Sequence, residues 1–418
     1  MQVYKFGGAS ISTATGVKNI TSIILKEKDL PIVVVSAMGK MTNAFEKLLE
    51  GFVSCNNELL TAQLNCIESY HREIIKDLGI GTSLKFENFL VELKTLLQNS
   101  DREEKNYDWW YDHIVGYGEM FSCSIVSDYI THLGHENKLI ESRKTIITDD
   151  VFREANIEFS ETTKRLKKAI SGTGIHILQG FIAGTRRGEH TTLGREGSDY
   201  TAAAVANMLS CDSVTIWKDV DGVLNCDPRI FSDCTPIPSL SYIDAVELAF
   251  SGAQIIHPKT IKPLENKNIP LYVRSFINPS HPGTIISQTS DKIDNVPFVI
   301  VRKNQVLISI RPKDFSFVLE ESLQDIFTIL NHHRQKVNLI QGSAVRISFS
   351  VDKSRYFDAL LEELSPKYKV KYNDGLELLT IRGRYKEIEK THTEGHDIYI
   401  RQQTRRALRL LRRAKEST

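Results

Sequence analysis

The chain has 418 residues, 41% of them hydrophobic, with 53 Lys plus Arg against 52 Asp plus Glu. That length exceeds what one core usually holds, so two or more domains are expected. The near-zero net charge excludes a molecule-wide field that would recruit nucleic acid or an anionic membrane, so any affinity for anions is local. The six cysteines form no Cys-x-x-Cys pair, no apolar run approaches a membrane span, and no basic-then-apolar leader opens the chain. Reduced, mostly buried thiols in a cytosolic protein are therefore expected.

In chain order, apolar and β-branched runs predict strands at 2–6, 31–36, 138–141, 175–182, 213–217 and 271–275. Helical periodicity predicts helices at 16–28, 43–52, 121–132, 198–209, 242–250 and 259–266. This alternation implies a mainly parallel α/β sheet with helices on both faces, whose ligands sit beyond the carboxyl ends of the strands. The polar stretch 284–295 reads as a linker closing a first domain of residues 1–285. Strands at 298–310, 337–341, 344–351 and 369–372, with helices at 320–335 and 355–364, then give a βαββαβ, ferredoxin-like second domain over 296–373. A shorter echo occupies 374–418: strand 375–381, helix 384–391, strand 398–401 and a basic terminal helix with Leu408 and Leu411 as its apolar seam.

The loops after the strands carry the chemistry. Lys5 precedes Gly7 and Gly8, a strand-borne cation before a turn in which backbone amides can approach a phosphate. Thr42 and Asn43 can cap the helix after the second strand, and a capped N-terminus also receives anions. Glu119 sits just inside a helix after a glycine-rich turn, where a carboxylate can pair with the helix dipole or grip an ammonium group. The most informative stretch, TTLGREGSDYTAAAVAN at 191–207, crowds Arg195, Ser198 and Asp199 onto a glycine-rich helix start. Arg195 can clamp a carboxylate in bidentate fashion, and Asp199 then needs a cation such as Lys5 or magnesium facing it. The loop IWKDVDGVLNCDPR at 216–229 offers Lys218, Asp219 and Arg229 to a second anionic ligand.

The segments KFGGAS, TTLGREGSDYTAA, WKDVDGVLNCDPR and SGAQIIHPKTI occur in the order found in aspartate kinases, a branch of the amino acid kinase family that the chain resembles over nearly its whole length. The resemblance implies a three-layer α/β sandwich followed by an α+β ACT-type regulatory region. It implies ATP- and Mg2+-dependent phosphorylation of the side-chain carboxylate of L-aspartate, the first step toward lysine, threonine and methionine. By similarity, Lys5 and Asp199 are catalytic, and Thr42, Glu119, Arg195 and Ser198 bind aspartate. Lys5, Gly7, Gly8, Lys218, Asp219, Arg229 and Gln254 hold the nucleotide. A homodimer through ACT-like domains and a lysine or threonine effector are implied, at segments 311–317 and 337–349. The chain departs from the family pattern at Ala9, Glu196, Leu224 and Gln254, where threonine, glycine, tyrosine and lysine are common.

An aspartate side chain is already ionised at neutral pH, so the reaction needs positioning and charge stabilisation rather than a general base. Two other classes compete: another amino acid kinase with a different acceptor, and a non-catalytic ACT-type sensor. The sensor would have no use for Lys5 and Asp199. His392 and His396 lack a third ligand, so no metal site is assigned, and Trp109, Trp110 and Tyr111 read as packing aromatics.

Overall fold

The structure, a computed structural model, describes residues 1–98, 105–253, 255–288, 296–313, 320–354, 356–383 and 385–415. They form two compact units: residues 1–223, 236–246 and 255–291 in the first, and 224–235, 247–254 and 292–418 in the second.

The first unit is built on strands β1 (Gln2–Phe6), β2 (Ile32–Val35), β3 (Asn137–Ile140), β4 (Ile175–Gln179), β5 (Ser213–Lys218), β6 (Ser239–Ser241), β7 (Leu271–Ser275) and β8 (Thr284–Ser287). They form one sheet in the order β6-β8-β7-β5-β1-β2-β4-β3. The run from β7 to β3 is parallel throughout, and β8 pairs antiparallel with β7. All four residues of β2, Ile-Val-Val-Val, are buried, as befits a strand covered on both faces.

Alternation along β1 separates its two faces. Tyr4 and Phe6 enter a large apolar core with Val33 and Val35, covered by α1 (Ala14–Leu25), α2 (Met41–Val53), α3 (Asn57–Asp77), α4 (Leu84–Leu97), α5 (Tyr107–Val115) and α6 (Tyr117–His132). Side chains at the starts of four of these helices, Thr13, Asn56, Ser83 and Asn106, accept first-turn amides and so fix where α1, α3, α4 and α5 begin. The opposite face of β1, β2 and β5 receives α7 (Gly197–Leu209). Its Ala202, Ala203, Ala204 and Ala206 are fully buried, and these small side chains let the helix approach the sheet closely. Lys5, out of phase with Tyr4 and Phe6, lies on the α7 side.

The second unit is one antiparallel sheet of six strands: β9 (Phe298–Pro312), β10 (Val337–Ser343), β11 (Arg346–Asp352), β12 (Tyr368–Arg382), β13 (His396–Gln403) and β14 (Ala407–Ala414), ordered β10-β11-β9-β12-β14-β13. The 15-residue β9 and β12 run side by side, so the strands expected at 369–372 and 375–381 are one. Helices α9 (Glu320–His332) and α10 (Phe357–Leu364) cover one core, and α11 (Tyr385–Thr393) contributes Tyr385 and Ile388 to another.

Several expectations are corrected. The basic tail is strand β14, not a helix. Leu408 and Leu410 join the core of Val299, Leu379 and Ile381, while Leu411 faces the other side with Leu307, Leu376 and Ile400, a period of two rather than a seam three residues apart. The strand expected over 175–182 stops at Gln179 and resumes as Ile182–Thr185, because Phe181 takes a left-handed backbone with φ +66°. Within the supposed linker, Thr284–Ser287 is β8, and residues 289–295 lie outside the described residues. The thiols are not all reduced and buried. Cys226 and Cys234 are joined in a disulfide, their Cα atoms brought to 5.3 Å by the loop between them, and Cys55 and Cys66 are exposed. Arg355, Arg384 and most of segment 311–317 lie outside the described residues.

Candidate active site

At the carboxyl end of β1, Lys5 Nζ stands 2.6 Å from Asp199 Oδ1, with side-chain exposures of 12% and 5%. The pair exists because strand alternation turns Lys5 toward α7 while Asp199 occupies the first turn of that helix. Little water reaches this ion pair, so its charges are weakly screened.

The two glycine turns beside it interlock. Gly39 N–H donates to Gly8 O at 2.9 Å, and Ser10 N–H donates to Gly7 O at 3.0 Å. A Cβ on Gly8 would lie 2.6 Å from Ala37 O and 2.8 Å from Gly39 O, and one on Gly7 would meet Lys5 Nζ at 3.5 Å. Gly8 is thus required where two backbones touch, and Gly7 leaves open backbone beneath the Lys5 ammonium. Gly8→Ala is expected to destabilise the protein by about 1–3 kcal/mol, the usual range for overpacking, since its neighbours are backbone carbonyls. Urea denaturation of the variant checks this; a stability equal to wild type would mean the two turns are not in contact.

Glu119, in the first turn of α6, is 3% exposed. Its Oε1 accepts the Ala37 N–H at 3.1 Å, and Oε2 has no partner among the described residues. Burial pushes its carboxyl up to about 8, against the pull of the Ala37 amide and the positive charge of Lys5. A buried acid with an empty oxygen near a lysine suits a cationic ligand group. Thr42 is half-buried and is no cap: α2 begins at Met41, its N-cap is Lys40, and Thr42 falls within the first helical turn.

The turn before α7 displays Arg195 in the open, and among the described residues it makes no ion pair. The next residue, Glu196, is the N-cap of α7 in a left-handed conformation with φ +53°, which glycine adopts without cost. Its Oε2 accepts the His257 N–H at 2.8 Å, a tie that holds a glutamate where the family pattern has glycine. Lys259 reinforces the same junction from the start of α8 (Pro258–Glu265): its Nζ donates to Leu193 O at 3.1 Å and lies 4.7 Å from the centre of the Tyr200 ring. Ser198 is buried, and its Oγ would lie 2.6 Å from a Cβ on Gly180.

Two residues that sequence reasoning passed over shape this turn. Asp112, buried in α5, accepts the Thr192 N–H and Arg153 N–H with Oδ2, both at 2.9 Å, and the Thr192 hydroxyl with Oδ1 at 2.6 Å. Burial pushes its carboxyl up to about 6. Phe181 donates its N–H to Thr201 Oγ1 at 3.1 Å and accepts the Leu193 N–H at 2.8 Å, which locks the corner after β4 onto α7. The only sequence sign of it is a glycine interrupting an apolar run.

The expected nucleotide residues fall in both units. Lys218 ends β5, the strand beside β1, and its Nζ donates to Ile255 O at 2.6 Å, while Asp219 is exposed just beyond. Arg229 belongs to the second unit, where its guanidinium donates to both oxygens of Asp227. Gln254 lies outside the described residues.

A paired lysine and aspartate, two touching glycine turns and a buried acid at the ends of adjacent parallel strands form a site for an anionic group beside a cationic one. Comparison with known proteins agrees: the model of the amino acid kinase family matches residues 1–275. The chain is 32% identical over 399 residues to chloroplastic aspartokinase 1 of Arabidopsis thaliana, an alignment spanning 91% of this chain and 70% of that protein. It is 28% identical over 412 residues to the lysine-sensitive aspartokinase 3 of Escherichia coli, spanning 95% and 90%. The crystal structure of E. coli aspartokinase III in complex with aspartate and ADP matches with a TM-score of 0.85 at 26% identity, over 98% of this chain and 96% of that one. The chain belongs to the amino acid kinase family and, within it, to the aspartokinases.

Proposed function

We infer that the protein transfers the γ-phosphoryl group of ATP to the side-chain carboxylate of L-aspartate, giving 4-phospho-L-aspartate. The observation that carries this reading is the Lys5–Asp199 pair beside the glycine turn, with the unpartnered Glu119 oxygen close enough to feel the lysine charge.

In this reading Lys5 and the amides of the Gly7–Gly8 turn take the phosphates, and Asp199 fixes the position of Lys5 through the ion pair. The nucleophile arrives ionised, so the protein's task is to hold two anions in line and to stabilise the charge on the moving group. Glu119 receives the substrate ammonium and Arg195 its α-carboxylate, which directs the remaining carboxylate toward the phosphates; Thr42 and Ser198 complete the pocket. Asp199 would offer a hard oxygen donor to Mg2+, and the ion, when bound, would supply neutralisation of phosphate charge. Lys218, Asp219, Arg229 and Gln254 are proposed for the nucleotide on the family pattern; the hydrogen bond from Lys218 Nζ to Ile255 O would then be exchanged for a phosphate contact.

The second unit is proposed to regulate and to dimerise. Its antiparallel sheet with helices over it supports an ACT-type module, and a second E. coli aspartokinase III structure, with lysine and aspartate bound, matches with a TM-score of 0.79. Lysine is the effector proposed first and threonine second. No helix among the described residues is long and apolar enough to cross a membrane. A cytoplasmic setting is part of the proposal.

Arg195→Ala is expected to raise the KM for aspartate about a hundredfold, as loss of a charge-assisted bidentate contact would, with folding unchanged because the side chain is exposed. An unchanged aspartate dependence would remove Arg195 from the site. The function itself is tested by ADP formation with aspartate, glutamate or no acceptor, repeated with lysine and with threonine. Turnover with aspartate alone is expected, whereas equal turnover with glutamate would make this a different amino acid kinase.

A further inference from the structure

Away from the site described above, the C-terminal ends of α9 and α10 bring three metal-ligating side chains together. His332 Nδ1 lies 3.0 Å from Glu363 Oε2, and His333 Nε2 lies 2.6 Å from the same oxygen. All three donor atoms fall within 4.8 Å of one another, and among the described residues no other such group of His, Cys, Asp and Glu is found. We propose that His332, His333 and Glu363 form a binding site for a transition-metal dication, Zn2+ in particular, that clamps α9 to α10.

The convergence is not what helix geometry delivers by default. Side chains at consecutive helical positions diverge by about 100° and do not face each other. Here His332 closes α9, and two residues later Arg334 turns left-handed with φ +52°, so His333 follows the chain out of the helix. His332 offers its near nitrogen and His333 its far one, and the two unequal reaches meet at one carboxylate oxygen, with ring centres 4.9 Å apart. Apolar packing beneath sets the spacing: Ile326, Ile329 and Leu330 of α9 share a core with Phe357, Leu360 and Leu364 of α10.

The donor set selects the class of ion. Two imidazoles and one carboxylate suit Zn2+ and its neighbours, whereas Mg2+ and Ca2+ favour all-oxygen shells. Zinc bonds of about 2.0–2.2 Å place neighbouring tetrahedral ligands about 3.3 Å apart, so small rotations of exposed side chains convert the present spacing into a metal shell. Side-chain exposures of 70% for His332, 12% for His333 and 40% for Glu363 leave a fourth position open to water.

The test uses the full-length protein, stripped with a chelator and dialysed. Zn2+ is titrated calorimetrically, and Co2+ is followed through its visible absorption as a reporter of tetrahedral coordination. Wild type is compared with His332→Ala, His333→Ala and Glu363→Gln, each confirmed folded by its circular dichroism. The expected result is one Zn2+ site in wild type, weakened at least tenfold by each substitution, and a Zn2+-dependent rise in Tm that all three variants lose. Absence of binding in wild type, or binding that the three substitutions leave unchanged, overturns the proposal.

Discussion

Lys5→Met is expected to lower kcat by about 10²–10³-fold while leaving the KM for aspartate within a few-fold of wild type. The magnitude is that of removing one preorganised charge-stabilising donor from a transition state. The variant also leaves Asp199, 5% exposed, with its ion-pair partner gone. Breaking a buried pair in this way typically costs about 3–5 kcal/mol, so a lower urea midpoint is expected alongside the lost rate. Lys5→Arg separates the two effects. It restores a cation to Asp199, and hence much of the stability, but moves the charge away from the position a phosphate would occupy, so the rate stays low. If Lys5→Met lost stability yet kept kcat, the pair would be structural only.

Aspartate binding near pH 7 is expected to expel close to one proton from Glu119. The free protein holds this carboxyl protonated up to about pH 8, because burial outweighs the help of the Ala37 amide and the Lys5 charge. A substrate ammonium beside the empty oxygen reverses the balance and ionises it. At pH 7 a group titrating near 8 is about nine-tenths protonated, so calorimetry in two buffers of different ionisation heat should report about 0.9 proton released. The KM for aspartate should accordingly fall as pH rises from 6 toward 8, by up to about tenfold per unit. Stability of the free protein runs the other way. A carboxyl raised from its ordinary 4.5 to about 8 contributes fully below pH 4.5, and that contribution is lost as pH climbs to 8, because the unfolded chain releases its proton first. Asp112, raised from 3.8 to about 6, adds a loss of the same sign over a lower window. Glu119→Gln should abolish the proton release and remove the upper part of the stability slope while leaving the Asp112 part. Equal heats in both buffers for wild type would show that Glu119 does not meet the substrate as a charge.

Much of this site was legible because its features are local. Alternation along residues 2–6 separates Lys5 from Tyr4 and Phe6, and glycines flanking Arg195 announce the helix start that carries Ser198 and Asp199. The parallel sheet was legible for the same reason, in short runs such as Ile-Val-Val-Val. What stayed hidden depends on distant partners. Asp112 sits in a segment that reads as aromatic packing, and its role exists only through Thr192 and Arg153. The Phe181 corner needs Thr201 and Leu193 to hold a left-handed backbone. Helices α3, α4 and α5 were not anticipated. The tail misled because Leu408 and Leu411 fit a helical spacing, while the choice of strand rests on two cores on opposite sides of the sheet. Arg229 was tied to the nucleotide by its motif, and its guanidinium donates to Asp227, two residues away.

If the Lys5–Asp199 centre joins a phosphate to an acidic amino acid, an acyl phosphate is the chemical signature of that act. Hydroxylamine traps such a product as a hydroxamate, so incubation of the protein with ATP, Mg2+, aspartate and hydroxylamine measures it directly. Aspartyl hydroxamate should accumulate with time, require ATP, and be lost in Lys5→Met. ATP consumption without hydroxamate, or hydroxamate formed undiminished by Lys5→Met, would contradict the claim.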